Sequence, residues 1–502
     1  MEFIKNFPFI TIVLSLFCSV ICFAFKDKKA RFVSYFLLVL SGILSASTLA
    51  YNLFSETGYF AYRMGHYDAP IGNEISAGLL EPFFALLFEI VILLSIMGGY
   101  NRIQKDVAEE KQRFFYIMVN LTHAALMSLC YTNDIYTGYV FIEICTIASC
   151  ALLMSSKKDR SLVAATRYTI FSLIGSSFVL IGIALLYSVT GHLLFPQIYE
   201  TIQTLWATGQ YTVPLTIALG LIVSGLAIKS GMFPFHWWMP DTYGTATPSA
   251  SGILSGVVSK GYIFLLLKML YRVIGTEVYM ESGIQNILLL FGVCGMIVGS
   301  VSAIRTSNIN FMIAYSSAAQ IGYIYMGLGL GTKEALLAAL FQIVAHALTK
   351  PMLFLVAGGL SDTVGGKKDF DSLRSSAHYN KSAGIAFAAG ALSMVGIPIF
   401  AGFVPKMLFS ISAFGHGAKT YIVLIALALS TILNVVYFLR TLVNIYSPAI
   451  VTLNRKKIAF SSVKAFSVVV LVMAAINLAV GLRSQPIISL FEKGIEIFMN
   501  IR

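Results

Sequence analysis

The feature that most constrains this sequence is a succession of long apolar stretches, separated by short polar gaps from one end of the chain to the other. Each stretch has roughly the twenty residues that a helix needs to cross about 30 Å of hydrocarbon. Because 57% of the residues are hydrophobic and only 12% are charged, a water-soluble fold could not cover its own core with polar surface. The sequence therefore predicts an all-α polytopic membrane protein.

The apolar stretches predict about fourteen transmembrane helices. They lie near 7–25, 33–53, 78–100, 114–131, 135–155, 168–189, 213–234, 248–271, 284–304, 311–330, 335–360, 383–413, 420–446 and 466–486. The first stretch is interpreted as a spanning helix and not as a signal peptide, because its apolar run is long and no small-residue cleavage site follows it. The segment from Glu56 to Ser76 is too polar to span and is expected to form an external hairpin or loop.

The net charge of +12 is unevenly distributed along the chain. Most Lys and Arg residues lie in alternate loops, such as 26–31, 102–113 and 455–464, while the opposite loops hold few, Arg272 among them. The positive-inside rule then predicts a multi-pass protein of the cell membrane with both termini outside. The basic excess is explained by topology, so no nucleic-acid partner is expected.

Motifs for metal, cofactor and nucleophile chemistry are not found in the sequence. The six cysteines lie in apolar stretches without a C-x-x-C pair, so they are interpreted as packing residues, with no disulfide framework and no zinc or iron–sulfur site. No cofactor, metal site, catalytic residue or redox chemistry is expected in this chain. Whether it is a subunit of a larger oxidoreductase stays open.

Lysines inside the apolar stretches are the strongest functional signal. Lys229, Lys260, Lys350 and Lys406 lie within predicted spans, and each costs about 2.5–3.5 kcal/mol to insert at the membrane centre. Since burial and a nearby carboxylate act on a lysine in opposite directions, such a residue can gain or lose a proton as its partner moves. These lysines are interpreted as a proton or cation relay, whereas Lys268, nearer a helix end, is expected to snorkel.

Glu143 and His346 complete the candidate relay. Glu143 lies in an apolar span with no charged residue close in sequence, which favours a functional carboxylate that pairs with a lysine. His346 and Lys350 are spaced i, i+4, so both side chains project from one helix face. By contrast, His123 is interpreted as a core residue, and Glu81 and Glu89 as either pathway residues or partners of polar neighbours.

Two spans are interrupted by helix breakers, in Gly231–Pro240 and Gly396–Pro405. Interrupted helices in corresponding halves indicate the ion site of a transporter, because freed backbone groups need a partner in lipid. His236 and Asp241 flank the tryptophan pair of the first break. They are candidates for the entrance of the pathway, although an interfacial aromatic belt also explains this segment.

Four sequence stretches resemble the antiporter-like subunits shared by complex I, membrane-bound hydrogenases and Mrp cation/proton antiporters. They are FHWWMPDTYGTATPSASGILSGVVSKGY, IAYSSAAQIGY, AHALTKPMLF and GIPIFAGFVPK, within a similarity that covers about residues 70–450. The resemblance implies two inverted five-helix repeats with the seventh and twelfth helices broken. The expected organisation is an N-terminal unit of three helices with a hairpin or loop (1–110), a first repeat (111–272), a second repeat (283–446) and a C-terminal helix and tail (447–502).

The resemblance also assigns roles to single residues. It implies that the relay consists of the fifth-helix acid Glu143, the seventh-helix Lys229, the eighth-helix Lys260, the central His346 and Lys350 of helix eleven, and the terminal Lys406 of helix twelve. Ser255-Gly256 resembles the Mrp D and hydrogenase branch of the family, since complex I subunits more often have a histidine followed by alanine there. One departure is Asn308-Ile309-Asn310-Phe311, where the family usually has an aspartate and basic residues.

The expected function is ion translocation by one subunit of a multisubunit Mrp-type antiporter or membrane-bound hydrogenase. The ion is a proton, with Na⁺ as an open addition, and the partners are other membrane subunits. A proton-pumping complex I subunit is the first alternative. A self-sufficient secondary transporter of a solute, or a scaffold that contributes to a quinone site, are the others.

Overall fold

The computed structural model describes residues 2–67, 73–157, 159–415, 417–449 and 455–500 of the chain. Within these residues the fold is helical apart from one small hairpin. The α-helices are α1 (Phe7–Ile21), α2 (Asp27–Phe54), α3 (Leu80–Gly98), α4 (Tyr100–Asp106), α5 (Glu109–Tyr131), α6 (Ile135–Met154), α7 (Asp159–Thr190), α8 (Phe195–Ala207), α9 (Thr212–Ser230), α10 (Trp238–Thr245), α11 (Pro248–Ile253), α12 (Ser259–Lys268), α13 (Thr276–Glu281), α14 (Ile284–Arg305), α15 (Ile309–Leu330), α16 (Lys333–Asp362), α17 (Phe370–Leu373), α18 (Ser376–Tyr379), α19 (Lys381–Val395), α20 (Phe403–Ala413), α21 (Ala418–Tyr446), α22 (Lys464–Leu482) and α23 (Gln485–Asn500).

Twelve helical segments in the described part of the chain are long and apolar enough to cross a membrane, which confirms the multi-span architecture. Two of the predicted spans are not among the twelve. Helix α15 has 22 residues but carries many polar side chains, and the stretch near 383–413 consists of the two shorter helices α19 and α20. The count of fourteen therefore stays a prediction.

Two long segments form the buried centre of the bundle. One is Pro248–Ile274, in which α11 and α12 are joined by a π-helical turn at Leu254–Val258 and followed by another at Met269–Ile274. The other is α16, which is buried along nearly its whole length. At their contact a Cβ on Gly256 would lie 2.6 Å from Pro351 Cγ, so the glycine permits this close approach. Lys260, Lys268 and Lys350 of these segments are thus held in the interior.

Both interruptions that the sequence predicts are present as helix breaks. Helix α9 ends before Gly231 and α19 ends before Gly396, and both glycines have left-handed backbones, with φ of 77° and 88°. Left-handed glycine is a common helix terminator because it lacks the Cβ that penalises this conformation. The chain resumes as α10 at Trp238 and as α20 at Phe403.

The segment expected to be a hairpin or loop contains two short strands. Strand β1 (Phe60–Arg63) pairs antiparallel with β2 (Glu74–Ala77), and Phe60 lies opposite Ala77. Residues 68–72, which connect the two strands in sequence, lie outside the described residues. An ion pair of 3.5 Å between Arg63 Nε and Glu74 Oε2 joins the strand ends that lie next to the connection between them.

Helix α23 is absent from the predicted spans, because its 16 residues are too few to cross the membrane. Its buried side chains Ile488, Phe491, Ile495 and Phe498 recur at helical spacing and form one apolar face. The Phe491 ring packs edge-on against Phe83 at a centroid distance of 5.0 Å. Residues 485–500 therefore form a helix that packs on α3.

Candidate functional site

Glu143 and Lys229 are brought together by α6 and the last turn of α9. The Lys229 Nζ lies 3.7 Å from Glu143 Oε1, and it donates a hydrogen bond of 2.6 Å to Thr146 Oγ1. Because Thr146 lies almost one turn beyond Glu143 on α6, the ammonium has an ionic and a neutral partner side by side. The Lys229 side chain is fully buried, whereas 25% of the Glu143 side chain is exposed.

Lys260 lies in the first turn of α12, two residues after the end of the first π-helical turn. Its Nζ donates to the Ser255 carbonyl within that turn and, at 3.1 Å, to Ser259 Oγ. A π-helical turn disturbs the regular backbone ladder and is frequent at functional sites. Lys260 is fully buried, and the partners found for it among the described residues are neutral.

His346 and Lys350 lie one turn apart on α16, and both are fully buried. Lys350 Nζ donates to Ser316 Oγ and, at 3.2 Å, to the Ile313 carbonyl of α15. Within the described part of the chain neither ring nitrogen of His346 has a hydrogen-bond partner. Lys260 and Lys350 both lie near the His346 ring.

Lys406 bonds to the backbone that the second break sets free. Its Nζ lies 2.7 Å from the Val395 carbonyl and 3.3 Å from the Met394 carbonyl, both at the end of α19. A third bond of 3.3 Å joins it to Thr431 Oγ1 of α21. A cation at a helix C-terminus also interacts favourably with the helix dipole, which helps to hold the lysine there.

A chain of polar side chains that sequence reasoning missed lies between Lys350 and Lys406. Tyr437 donates to Asn434 Oδ1 at 2.5 Å, and Asn434 Nδ2 donates to the Tyr323 hydroxyl at 3.4 Å. The Tyr323 hydroxyl donates to Ser430 Oγ at 2.9 Å, and its ring lies 5.6 Å from Lys406 Nζ. At the other end, Tyr437 lies beside Ser316, the partner of Lys350. In the sequence, the only indication of this chain of polar side chains is the i, i+3 spacing of Asn434 and Tyr437 in an apolar helix.

His236 and Asp241 do not join the relay residues in direct contact. His236 is buried, and its ring stacks on Trp237 at a centroid distance of 5.1 Å. Asp241 forms an ion pair with Arg167 of α7, and both side chains are partly exposed. Their role at the entrance of a pathway stays a prediction.

Two expectations about basic residues are wrong. Lys268 does not snorkel: it is 0% exposed and donates to the Cys130 and Thr132 carbonyls, the second at 3.0 Å. Arg272 is not a loop residue, because it lies in the Pro248–Ile274 segment 3.3 Å from Glu81 Oε1. The hairpin and the end of α5 fold over this part of the helix, and the sequence does not reveal such a cover.

The Asn308–Phe311 departure has a structural role. Asn308 is the N-cap of α15, and its side chain accepts a bond of 2.9 Å from the Asn310 backbone N–H. Asn310 Nδ2 in turn donates to the Gly244 carbonyl at 3.3 Å. These two asparagines fix the start of α15 against α10 without any charge.

Comparison with known proteins places the chain in a family. The family model described as "NADH:quinone oxidoreductase/Mrp antiporter, TM" matches residues 132–434. The N-type subunit of the NADH-quinone oxidoreductase of Desulforudis audaxviator is 31% identical over 445 residues, which cover 88% of this chain and 86% of that protein. The D-type subunit of the Na(+)/H(+) antiporter of Alkalihalophilus pseudofirmus is 25% identical over 395 residues, or 78% of this chain and 77% of the relative.

Solved structures share the fold at low sequence identity. A chain of the membrane-bound sulfane sulfur reductase, an archaeal respiratory membrane complex, superposes with a TM-score of 0.87 at 22% identity, covering 99% of this chain and 98% of that one. A chain of the Mrp complex from Dietzia sp. DQ12-45-1b gives 0.86 at 20% identity, covering 100% and 98%. From the family match and the 31% identity, this chain belongs to the NADH:quinone oxidoreductase/Mrp antiporter transmembrane family.

Proposed function

We propose that this chain is an antiporter-like subunit that moves protons through Glu143, Lys229, Lys260, His346, Lys350 and Lys406. The observation that carries the proposal is the position of Lys229 Nζ, 3.7 Å from the Glu143 carboxylate and 2.6 Å from the neutral Thr146 hydroxyl. A small movement along α6 exchanges one partner for the other. An ammonium that leaves its carboxylate in a buried site holds its proton less tightly.

The proton released by Lys229 passes in this proposal to Lys260, His346 and Lys350, which are all fully buried. Lys260 and Lys350 flank His346, whose ring nitrogens can accept and donate. From Lys350, the hydroxyl and amide groups of Ser316, Tyr437, Asn434 and Tyr323 lead towards Lys406. Lys406 bonds to carbonyls at the end of a broken helix. A movement at that break therefore changes how tightly Lys406 binds the transferred proton.

The test is proton movement by the complete native complex in sealed membrane vesicles, followed together with Na⁺. Glu143→Gln and Lys229→Met are expected to abolish proton movement while the complex still assembles. Glu200→Gln is the matched control, because it removes an exposed carboxylate of α8. Undiminished transport in both relay variants would contradict the mechanism, and Na⁺ movement that persists alone would assign Na⁺ to another route.

We also propose that the chain works inside a multisubunit membrane complex of the Mrp or respiratory type, as its relatives' names suggest. The partly exposed Glu143 side chain suits a contact with a neighbouring membrane subunit. The driving energy then comes from an ion gradient or from redox subunits. Purification of the tagged chain in mild detergent tests this, and recovery of the chain without other membrane subunits would argue against it.

A role in complex I is the second candidate, because the NADH-quinone oxidoreductase relative is 31% identical, against 25% for the Na(+)/H(+) antiporter relative. The Ser255-Gly256 pair, which resembles the Mrp D and hydrogenase branch, favours the Mrp or hydrogenase type over complex I. Vesicles separate the two: exchange of Na⁺ for protons without an electron donor supports the Mrp type, and proton movement only during electron transfer supports a respiratory type.

The orientation and internal symmetry are part of the proposal. The basic loops are cytoplasmic and both termini are outside. The two inverted repeats span 111–272 and 283–446, an assignment supported by one glycine-terminated break in each. An impermeant thiol reagent applied to intact cells is expected to label Lys333→Cys and not Lys105→Cys, in a background without the native cysteines; the reverse pattern would invert the topology.

A further inference from the structure

A second buried titratable pair lies outside the helices that carry the proposed relay. Glu89 of α3 and His123 of α5 are 1% and 0% exposed, and His123 Nε2 lies 3.5 Å from Glu89 Oε1. Helix α2 packs on both α3 and α5, and α1 packs on α2 and α5, which completes a four-helix group at the N-terminal side of the chain. Ionisable groups inside a membrane span are costly, so a buried carboxylate beside an imidazole calls for a physical explanation.

Three serine hydroxyls bond to this pair. Ser41 and Ser45 of α2 donate to Glu89 Oε1 at 2.5 and 3.0 Å. Ser41 Oγ also lies 3.3 Å from His123 Nε2, and Ser15 Oγ of α1 lies 2.8 Å from His123 Nδ1. The pair is therefore bonded from two neighbouring helices.

Other buried hydroxyls of α2 behave differently, which shows that Ser41 and Ser45 are directed at the carboxylate. Ser34 and Thr48 donate back to the Ala30 and Leu44 carbonyls of their own helix. This i−4 bond is the usual solution for a hydroxyl within a membrane helix. Ser41 and Ser45 donate across the helix interface instead.

The serine hydroxyls around His123 can be satisfied by a doubly protonated ring. The Ser15 hydroxyl carries one hydrogen and donates it to the Thr11 carbonyl at 2.5 Å, and the Ser41 hydrogen is used on Glu89. With the serine hydrogens placed in this way, each serine oxygen accepts from the ring nitrogen that faces it, and His123 donates from both nitrogens as a doubly protonated ring. A neutral ring would instead need Ser15 or Ser41 to turn its hydrogen towards the imidazole.

From this geometry we propose that Glu89 and His123 form a second proton-binding site, in which His123 holds one proton against the Glu89 carboxylate. The ligand is the proton itself, and the site does not rest on the proposed relay. Glu89 Oε2 is buried and has no hydrogen-bond partner among the described residues, so its charge is balanced mainly through Oε1. A buried carboxylate that lacks a basic partner is strongly unfavourable, and His123 lies where such a partner is needed.

Other titratable groups near Glu89 are few. From α5 it is approached by Tyr131 and Cys130 as well as by His123, while α1 and α2 present the serines described above. Glu81 lies two turns earlier on α3 and is already paired with Arg272. His123 is thus the basic group that balances Glu89.

The experiment is nitrogen NMR of the full chain in lipid bilayers, labelled at its seven histidines. His123→Gln identifies the His123 signals. The expected result at neutral pH is a doubly protonated His123 ring in the wild type, and a singly protonated ring in Glu89→Gln. A merely structural polar contact would leave the ring protonation unchanged by this isosteric substitution.

Controls keep the test decisive. Ser34→Ala, which removes a hydroxyl bonded to its own helix, is expected to leave the His123 signals unaltered, whereas Ser41→Ala should shift the Nε2 signal. If Glu89→Gln fails to fold, the wild-type spectrum still decides the matter. A singly protonated wild-type ring overturns the proposal, and so does an unchanged doubly protonated ring in a folded Glu89→Gln variant.

Discussion

Lys406 Nζ donates to the Val395 carbonyl at 2.7 Å, across the break that separates α19 from α20. The lysine and the open helix end thus satisfy each other: the carbonyl gains a donor, and the part-buried ammonium gains an acceptor. Gly396 makes room for this contact, since a Cβ there would lie 2.8 Å from Lys406 Cδ. The glycine that ends α19 thus also makes room for the lysine that bonds to the free carbonyl.

Lys406→Met is expected to abolish proton movement in vesicles, because methionine fills the space but cannot carry a proton. It also leaves the Val395 carbonyl without its donor, at a cost of about 1–3 kcal/mol in stability. Vesicle transport and thermal unfolding of the purified complex measure the two effects. Lys333→Met, at an exposed position of α16, is the matched control, and transport that survives Lys406→Met would remove this residue from the relay.

Gly225 determines how closely α7 and α9 approach beside Lys229. A Cβ at Gly225 would lie 2.5 Å from the Gly175 carbonyl oxygen, a backbone atom that cannot move aside by itself. Gly225→Ala is therefore expected to separate the helices and to destabilise the protein by about 1–3 kcal/mol. Thermal unfolding in detergent measures this loss.

Gly220→Ala provides the internal control for that prediction. Gly220 lies on the same helix, and a Cβ there would meet nothing within 4 Å. Alanine at this position is expected to be neutral or slightly stabilising, because it favours the helix. Equal unfolding temperatures for the two variants would show that the close packing at Gly225 does not matter.

The Glu81–Arg272 pair is a buried structural ion pair, with both side chains 1% exposed. Glu81→Gln leaves the Arg272 charge without its carboxylate, so we expect a loss of about 3–5 kcal/mol. The double variant Glu81→Gln with Arg272→Met should recover much of it, which a double-mutant cycle measures. Arg63→Met, in a pair whose arginine side chain is 60% exposed, should cost under about 1 kcal/mol. If the stability losses of Glu81→Gln and Arg272→Met simply add up in the double variant, the two side chains are not coupled.

The sequence is sufficient for the parts of the fold and site that depend on local pattern. The apolar runs predict the spans, the Gly/Pro clusters predict both breaks, and the i, i+4 spacing places His346 with Lys350. What it cannot reveal depends on tertiary contacts. Lys268 and Arg272 look interfacial in the sequence, because nothing near a helix end shows that a distant hairpin will cover it. Tyr323 is distinguished from other aromatic residues only by its partners Ser430 and Asn434.

Asp134 offers a test of a charge outside the spans. It is the N-cap of α6 and accepts a bond of 2.6 Å from the Thr137 backbone N–H, while burial raises its pKa above the usual value of 3.8. The folded state therefore binds this proton more tightly than the unfolded chain does. The contribution of Asp134 to stability is largest at low pH, falls as the pH rises from the unfolded to the folded pKa, and is constant above it.

Asp134→Asn keeps a capping oxygen and removes the buried charge. At neutral pH it is expected to leave the stability unchanged or to increase it, and it should remove the fall in stability with rising pH that Asp134 causes. Asp134→Ala loses the cap and should cost about 1 kcal/mol. Unfolding followed across the acidic range measures both variants against the wild type. If Asp134→Asn lowers stability at neutral pH as much as Asp134→Ala does, the carboxylate charge itself holds the start of α6, and the burial cost inferred from its raised pKa is not the dominant effect.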